Sequence, residues 1–245
     1  MKRIVIILSG ILIAVYVLLS ILGSGGEYAA ERLFYKAMKI DQRIADNPDV
    51  APPALLASVE NTLQKLLKKY PKTTIAKRAD ITLAEFYIAH KEYDKALSRI
   101  NIIIKTHTPD PAISSTAHFL KGAVYEKQNM WPKALNEFEI LRDKYPSTKL
   151  GMQMPLYIGK HYEAKGEQGL AGKAYADAVS FYEKSAGANR GKPIGYIYST
   201  LFIQAHLILK NYDKAGDILE ETFRTYPSPV TFVELLPYVE SIFVE

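Results

Sequence analysis

Between Ala54 and Tyr70 apolar residues stand at positions 55, 56, 59, 63, 66 and 67, the spacing of one face of an α-helix. Pro53 suits the first turn of such a helix and Pro71 ends it. A preceding helix is predicted from Glu27 to Asp46, separated from the next by the turn-forming Asn47-Pro48-Asp49-Val50-Ala51-Pro52-Pro53. Two other runs are apolar on every side. Ile4 to Leu22 carries no charge and is interrupted only by Ser9, Gly10 and Ser20. Val230 to Val244, with Pro237 inside it, predicts a short kinked helix that covers the end of the fold.

Between these ends the pattern repeats. Glu92-Tyr93-Asp94-Lys95-Ala96-Leu97 returns as Met130-Trp131-Pro132-Lys133-Ala134-Leu135 and again as Asn211-Tyr212-Asp213-Lys214-Ala215-Gly216. Lys69-Tyr70-Pro71, Lys144-Tyr145-Pro146 and Thr225-Tyr226-Pro227 each close a predicted helix. In the second and third phrases the proline falls twelve residues after the alanine, so both markers keep one register. Recurrence on this scale predicts stacked structural units that build an extended surface rather than a closed pocket.

Within each unit small and large residues keep fixed offsets. Ala96 follows Ala84 by twelve residues and Tyr87 by nine; Ala134 stands in the same relation to Gly122 and Tyr125, and Ala171 to Gly159 and Tyr162. Four positions after the alanines come Ile100, Phe138, Tyr175 and, after Ala215, Leu219. This arrangement resembles the tetratricopeptide repeat, in which small residues let two antiparallel helices touch and aromatic rings fill the gaps around them. The family's first Trp is replaced by Asp80, His118, Pro155 and Ser199, and the fourth unit carries Ile203 and His206 at the Gly and Tyr positions. The resemblance implies an all-α fold of helix pairs stacked as a right-handed solenoid. A degenerate leading unit spans 27–72, four repeats fall near 77–110, 115–148, 152–185 and 196–229, and a cap covers 230–245. The alanines lie 38, 37 and 44 residues apart, which implies insertions between units. The longest, Ser185 to Pro193, reads as an exposed loop.

The amino terminus adds a location. Lys2 and Arg3 precede the apolar run, which at helical rise approaches the thickness of a bilayer core. Residues 1–25 are therefore expected to be a transmembrane anchor, with residues 26–245 as the repeat domain. The alternative is a signal segment cleaved near Gly25. The positive-inside rule places Lys2 and Arg3 in the cytoplasm and the repeats across the membrane, periplasmic or extracellular in a bacterium. The chain has no cysteine, which excludes disulfides, a cysteine nucleophile and a lipidated cysteine. Its net charge of +5 falls to +3 without Lys2 and Arg3, too balanced for a nucleic-acid footprint. Lys65, Lys68, Lys69 and Lys72, near Lys77 and Arg78, form a basic cluster. It reads as a solvated helix end, or as a contact for anionic lipid headgroups.

Catalytic patterns are missing. Gly187 to Pro193 is one residue short of a phosphate loop and places proline where the hydroxyl residue belongs. The five histidines form no HExxH pair, and there is no Gly-x-Ser-x-Gly elbow. No cofactor, metal or small-molecule substrate is expected. The resemblance implies a partner-binding groove on the first helix of each pair. It maps to Arg78, Ile81, Glu85 and Ile88, then Thr116, Phe119, Glu126 and Lys127, then Gln153, Leu156, Lys160 and Glu163, then Ile197, Thr200, Gln204 and Leu207. Ile81, Phe119 and Leu156 among separated charges suit an extended or helical peptide held by apolar anchors. The layout is similar to repeat proteins of outer-membrane assembly and of the secretion translocon. It implies a non-enzymatic scaffold for envelope proteins; the alternative is a helical-repeat enzyme acting on cell-wall glycan.

Overall fold

In the computed structural model, which describes residues 26–46, 52–107 and 109–243, all regular structure is helical. α1 spans residues 26–46, α2 Pro53–Lys69, α3 Thr74–Ala89, α4 Tyr93–Thr106, α5 Pro111–Lys127 and α6 Trp131–Lys144. They are followed by α7 Lys149–Ala164, α8 Gln168–Ala188, α9 Pro193–Ile208, α10 Tyr212–Thr225 and α11 Pro229–Phe243. The chain forms two compact units, one up to Ile113 and one from Ser114. The run Ile4 to Leu22 lies outside the described residues, among which no helix is long and apolar enough to cross a membrane.

Two kinds of link alternate along the chain. Tyr70, Tyr145 and Tyr226 end α2, α6 and α10 with φ of −130°, −125° and −127°, because a following proline biases its predecessor away from helix. Thr73 and Thr148 then start the next helix. Each hydroxyl donates to the carbonyl of the preceding Tyr at 2.8 Å and accepts from Ala76 N or Gly151 N at 3.1 Å. Ser228 does the same capping work for α11, accepting from Thr231 N at 3.0 Å. The other link joins the two helices of a pair through one left-handed residue: Lys91 (φ 60°), Asn129 (59°), Gly166 (75°) and Lys210 (58°). The next amide donates back to Tyr87 O (2.8 Å), Tyr125 O (2.8 Å), Tyr162 O (2.9 Å) and His206 O (2.9 Å). This closes a Schellman turn each time.

Inside three of the four pairs the contact is small against large. A Cβ added to Gly122 would lie 2.4 Å from the Phe138 ring, and one added to Gly159 would lie 2.3 Å from the Tyr175 ring. Where the small position is Ala84, the facing register holds Ile100; where it is Ile203, it holds Leu219, and all four are buried. From the glycine pairs to Ala84 and Ile100 the first residue grows as the second shrinks, so these three pairs fill a similar volume; Ile203 with Leu219 is a larger pair. Ala96, Ala134, Ala171 and Ala215 are 0%, 0%, 2% and 0% exposed, packed against the facing helix rather than turned to solvent.

At the position of the family's first Trp, two units use charge instead. Asp80 is buried against Arg99 and lies 3.3 Å from His107 Nε2. His118 Nδ1 donates to Glu137 at 2.7 Å and Lys121 adds a contact at 2.8 Å. Burial opposes the Glu137 charge, but the bonds from His118 and Lys121 outweigh it and hold its carboxyl below the ordinary value. The expected loop from Ser185 to Pro193 is a correction. α8 runs for 21 residues where α4, α6 and α10 run for 14, so the extra spacing is two helical turns and only residues 189–192 form a link. Ala186 packs against the core of α8 and α9, and Asn189 Nδ2 donates to Ser185 O at 2.8 Å, which carries the helix on.

Gly159→Ala is expected to cost about 1 to 3 kcal/mol through the Tyr175 ring, whereas Gly187→Ala, with nothing within 4 Å, should gain up to about 1 kcal/mol of helix propensity. Urea unfolding of both variants checks the contrast. By the same measurement Lys210→Gly should stabilise the chain by about 1 kcal/mol, because a left-handed backbone strains any side chain but glycine's absence of one.

Candidate functional site

The groove residues read from the sequence come together most clearly in the unit that ends at Ile113. Phe34, Met38 and Asp41 of α1 face Arg78, Ile81, Thr82, Glu85, Phe86 and Ala89 of α3 across a groove of about 490 Å³. The helices hold it open in a defined way. Glu27 at the start of α1 accepts from Ile75 N at 3.2 Å and Thr74 N at 3.3 Å, tying it to the free amides that begin α3. The Arg78 guanidinium lies over the Phe34 ring, 4.9 Å from its centroid, which fixes a cation at one side of an apolar floor.

Glu85 and Asp41 line the same groove. Desolvation raises the Glu85 carboxyl above its ordinary value. It raises Asp41 too, and the neighbouring His90 only partly offsets this. Two carboxyls that are costly to ionise favour an incoming cation, which restores the solvation they lack. Ile88, the fourth residue read from α3, is half-buried and does not line the groove.

In the unit from Ser114 the residues read from the sequence divide differently. Leu156, expected to be an apolar anchor, is 4% exposed and packs with Met152, Tyr175 and Tyr198. Its spacing could not show that α8 and α9 cover it. Phe119 is half-buried against the core, its ring 6.2 Å from Phe138. Glu126 accepts from Tyr157 Oη at 2.5 Å and lies 2.6 Å from His161 Nδ1. Glu163 accepts from Tyr175 Oη at 2.7 Å. Burial first, and then these carboxylates, push both tyrosines far above their ordinary pKa. Lys127, Gln153 and Lys160 are exposed, Ile197 is 42% exposed, and Thr116, Thr200, Gln204 and Leu207 are half-buried. The face left to solvent is thus more polar than the sequence implied.

Sequence reasoning missed two features. Phe34, Met38 and Asp41 were hidden because α1 belongs to a degenerate unit with no motif to align. The stack of His161 on Trp131, with centroids 3.3 Å apart and planes 3° apart, joins two residues thirty positions apart that no repeat offset pairs. Among the described residues no group of His, Asp and Glu is placed to hold a metal ion.

No curated protein matches this chain. The tetratricopeptide repeat family model matches residues 116–148. Two solved structures are similar over most of the chain. One is a tetratricopeptide repeat protein from Parabacteroides merdae, 16% identical, covering 88% of this chain and 74% of that one at a TM-score of 0.44. The other is a thermophilic repeat protein of Thermus thermophilus, 14% identical, covering 87% and 98% at 0.36. The family match takes in α5, α6 and the Tyr145 link. The pairs α3–α4, α7–α8 and α9–α10 carry the same Schellman turn and the same buried contact register.

Because the folded chain holds the Glu85 carboxyl above its unfolded value, ionising it works against folding. That penalty is absent below the ordinary Glu pKa, grows as pH rises from the ordinary to the raised value, and is complete above it. Glu85→Gln is therefore expected to melt slightly higher than the parent at neutral pH and at the same temperature near pH 4, as followed by circular dichroism. A lower melting temperature at neutral pH would contradict this.

Proposed function

We propose that this chain is a non-enzymatic scaffold that holds protein or peptide partners on the extracytoplasmic side of a bacterial membrane, in envelope protein assembly or secretion. The observation that carries the reading is the α1–α3 groove, with its apolar floor, Arg78 at one side and the carboxyls of Asp41 and Glu85 lining it. Such a groove takes an apolar side chain of a segment and orients it by the charges on either side. Repeat proteins of the matched family generally act by holding partners, which agrees with the helix pairs described above. The charge-free run from Ile4 to Leu22 behind Lys2 and Arg3 supports attachment to the membrane with the repeats on the far side. The segment to be bound is one of an envelope protein, with an apolar residue next to a Lys or Arg.

Photocrosslinking from Thr82 in intact cells, followed by mass spectrometry, tests the binding surface. Ile81→Asp and Arg78→Glu should each reduce the crosslinked partner at least tenfold at unchanged melting temperature. An unchanged crosslink pattern in both would remove the groove from the function. Protease protection in spheroplasts tests the location: the repeats should be digested without lysis.

A further inference from the structure

We propose a second binding surface, the open groove between α10 and α11, which receives an amphipathic helix with basic flanks from a partner protein. α11 is in register with the first helices of the pairs. Tyr226-Pro227-Ser228 precedes it as Tyr145-Pro146-Ser147 precedes α7, and Ser228 caps it. Counting from the tyrosine, Val233 and Leu236 of α11 occupy the places of Met152 and Pro155 in α7. In α7 both are buried, on the face that carries α8. In α11 Val233 is 64% and Leu236 39% exposed. A plain cap would turn polar residues outward; this helix turns out the apolar face on which its counterpart receives a second helix.

The adjoining cavities agree. Between α6 and α7 lies a groove of about 210 Å³ whose third wall is α8. Its counterpart between α10 and α11 measures about 830 Å³, floored by Leu219, Phe223, Val239 and Ile242. Leu135 and Glu139 of the first are replaced in register by Gly216 and Glu220 of the second. The helical wall that α8 supplies to one has no counterpart among the described residues of the other.

Charge selects the occupant. Asp213, Asp217 and Glu220 follow one another along the α10 rim; α11 has no basic residue and adds Glu240, while its Glu234 is turned to α9, accepting from Tyr196 Oη at 2.7 Å. Lys214, 3.8 Å from Asp217, and Arg224, paired with Glu220, offset only part of this. In the closed groove Lys173 of α8 lines the wall opposite Glu139; a lysine or arginine in that place would meet Glu220 here. The same acidity disfavours pairing of two α11 helices from two copies.

The probes are two fluorescent synthetic peptides of about 18 residues, leucine at helical spacing with either lysine or glutamate on the flanks, titrated by anisotropy. The full chain is held in zwitterionic nanodiscs, with empty nanodiscs as blank. The lysine peptide should bind at least tenfold more tightly than the glutamate peptide. Leu236→Asp should weaken it at least tenfold without lowering the melting temperature, since that side chain is partly exposed. Asp217→Lys with Glu220→Lys should reverse the preference. Absence of binding, or binding indifferent to Leu236→Asp, overturns the proposal. So does self-association in sedimentation that Leu236→Asp abolishes, which would give the face to a second copy. Binding here should persist in Ile81→Asp, so this surface and the α1–α3 groove fail or stand separately.

Discussion

The structure depends on one contact made again and again: in three of the four pairs a small residue on the first helix stands against a large one sixteen positions later on the second. Gly122 against Phe138 and Gly159 against Tyr175 are so close that a single added methyl group would overlap the ring. Helices brought that near exclude water from a continuous row of buried side chains, among them Ala134, Leu141, Tyr182 and Tyr198. Dispersion and burial then stabilise elements that, at 14 to 17 residues in most pairs, would be marginal helices alone.

The links make that contact repeat in register. A left-handed residue turns the chain within each pair, and its following amide returns to the carbonyl of Tyr87, Tyr125, Tyr162 or His206. A tyrosine before proline, followed by a hydroxyl cap, turns it at α2–α3, α6–α7 and α10–α11. Both links fix where each helix starts, and so which residues face the neighbour and which face outward. The grooves follow from this geometry: α1–α3 gathers apolar and charged side chains from two first helices, and α10–α11 leaves an apolar face beside an acidic row.

Much of the fold was legible because alanine, glycine and ring positions recur at constant offsets, and offsets are what a sequence records. The exceptions have physical causes. The stretch from Ser185 to Ala188 reads as loop from its glycine and small residues, yet the half-buried Ala186 packs against the α8–α9 core and the helix continues. Asp80 and His118, departures from the expected Trp, are resolved by partners nineteen residues away on the second helix, Arg99 and Glu137. The candidate site was less legible. Repeat position pointed to Arg78, Ile81 and Glu85, which line the α1–α3 groove, but Leu156 was not separable from them, because exposure depends on what the next helices cover. Phe34, Met38 and Asp41 sit on a helix whose unit keeps none of the repeat's markers.

The most direct test of the central contact is a double-mutant cycle between Gly122→Ala and Phe138→Leu, measured by urea unfolding. Each change alone should destabilise the chain. Together they should cost less than the sum by about 1 kcal/mol or more, since the smaller leucine makes room for the added methyl group. Additivity within about 0.5 kcal/mol would mean that the two positions do not press on each other, and the account of how these helices are held together would fail.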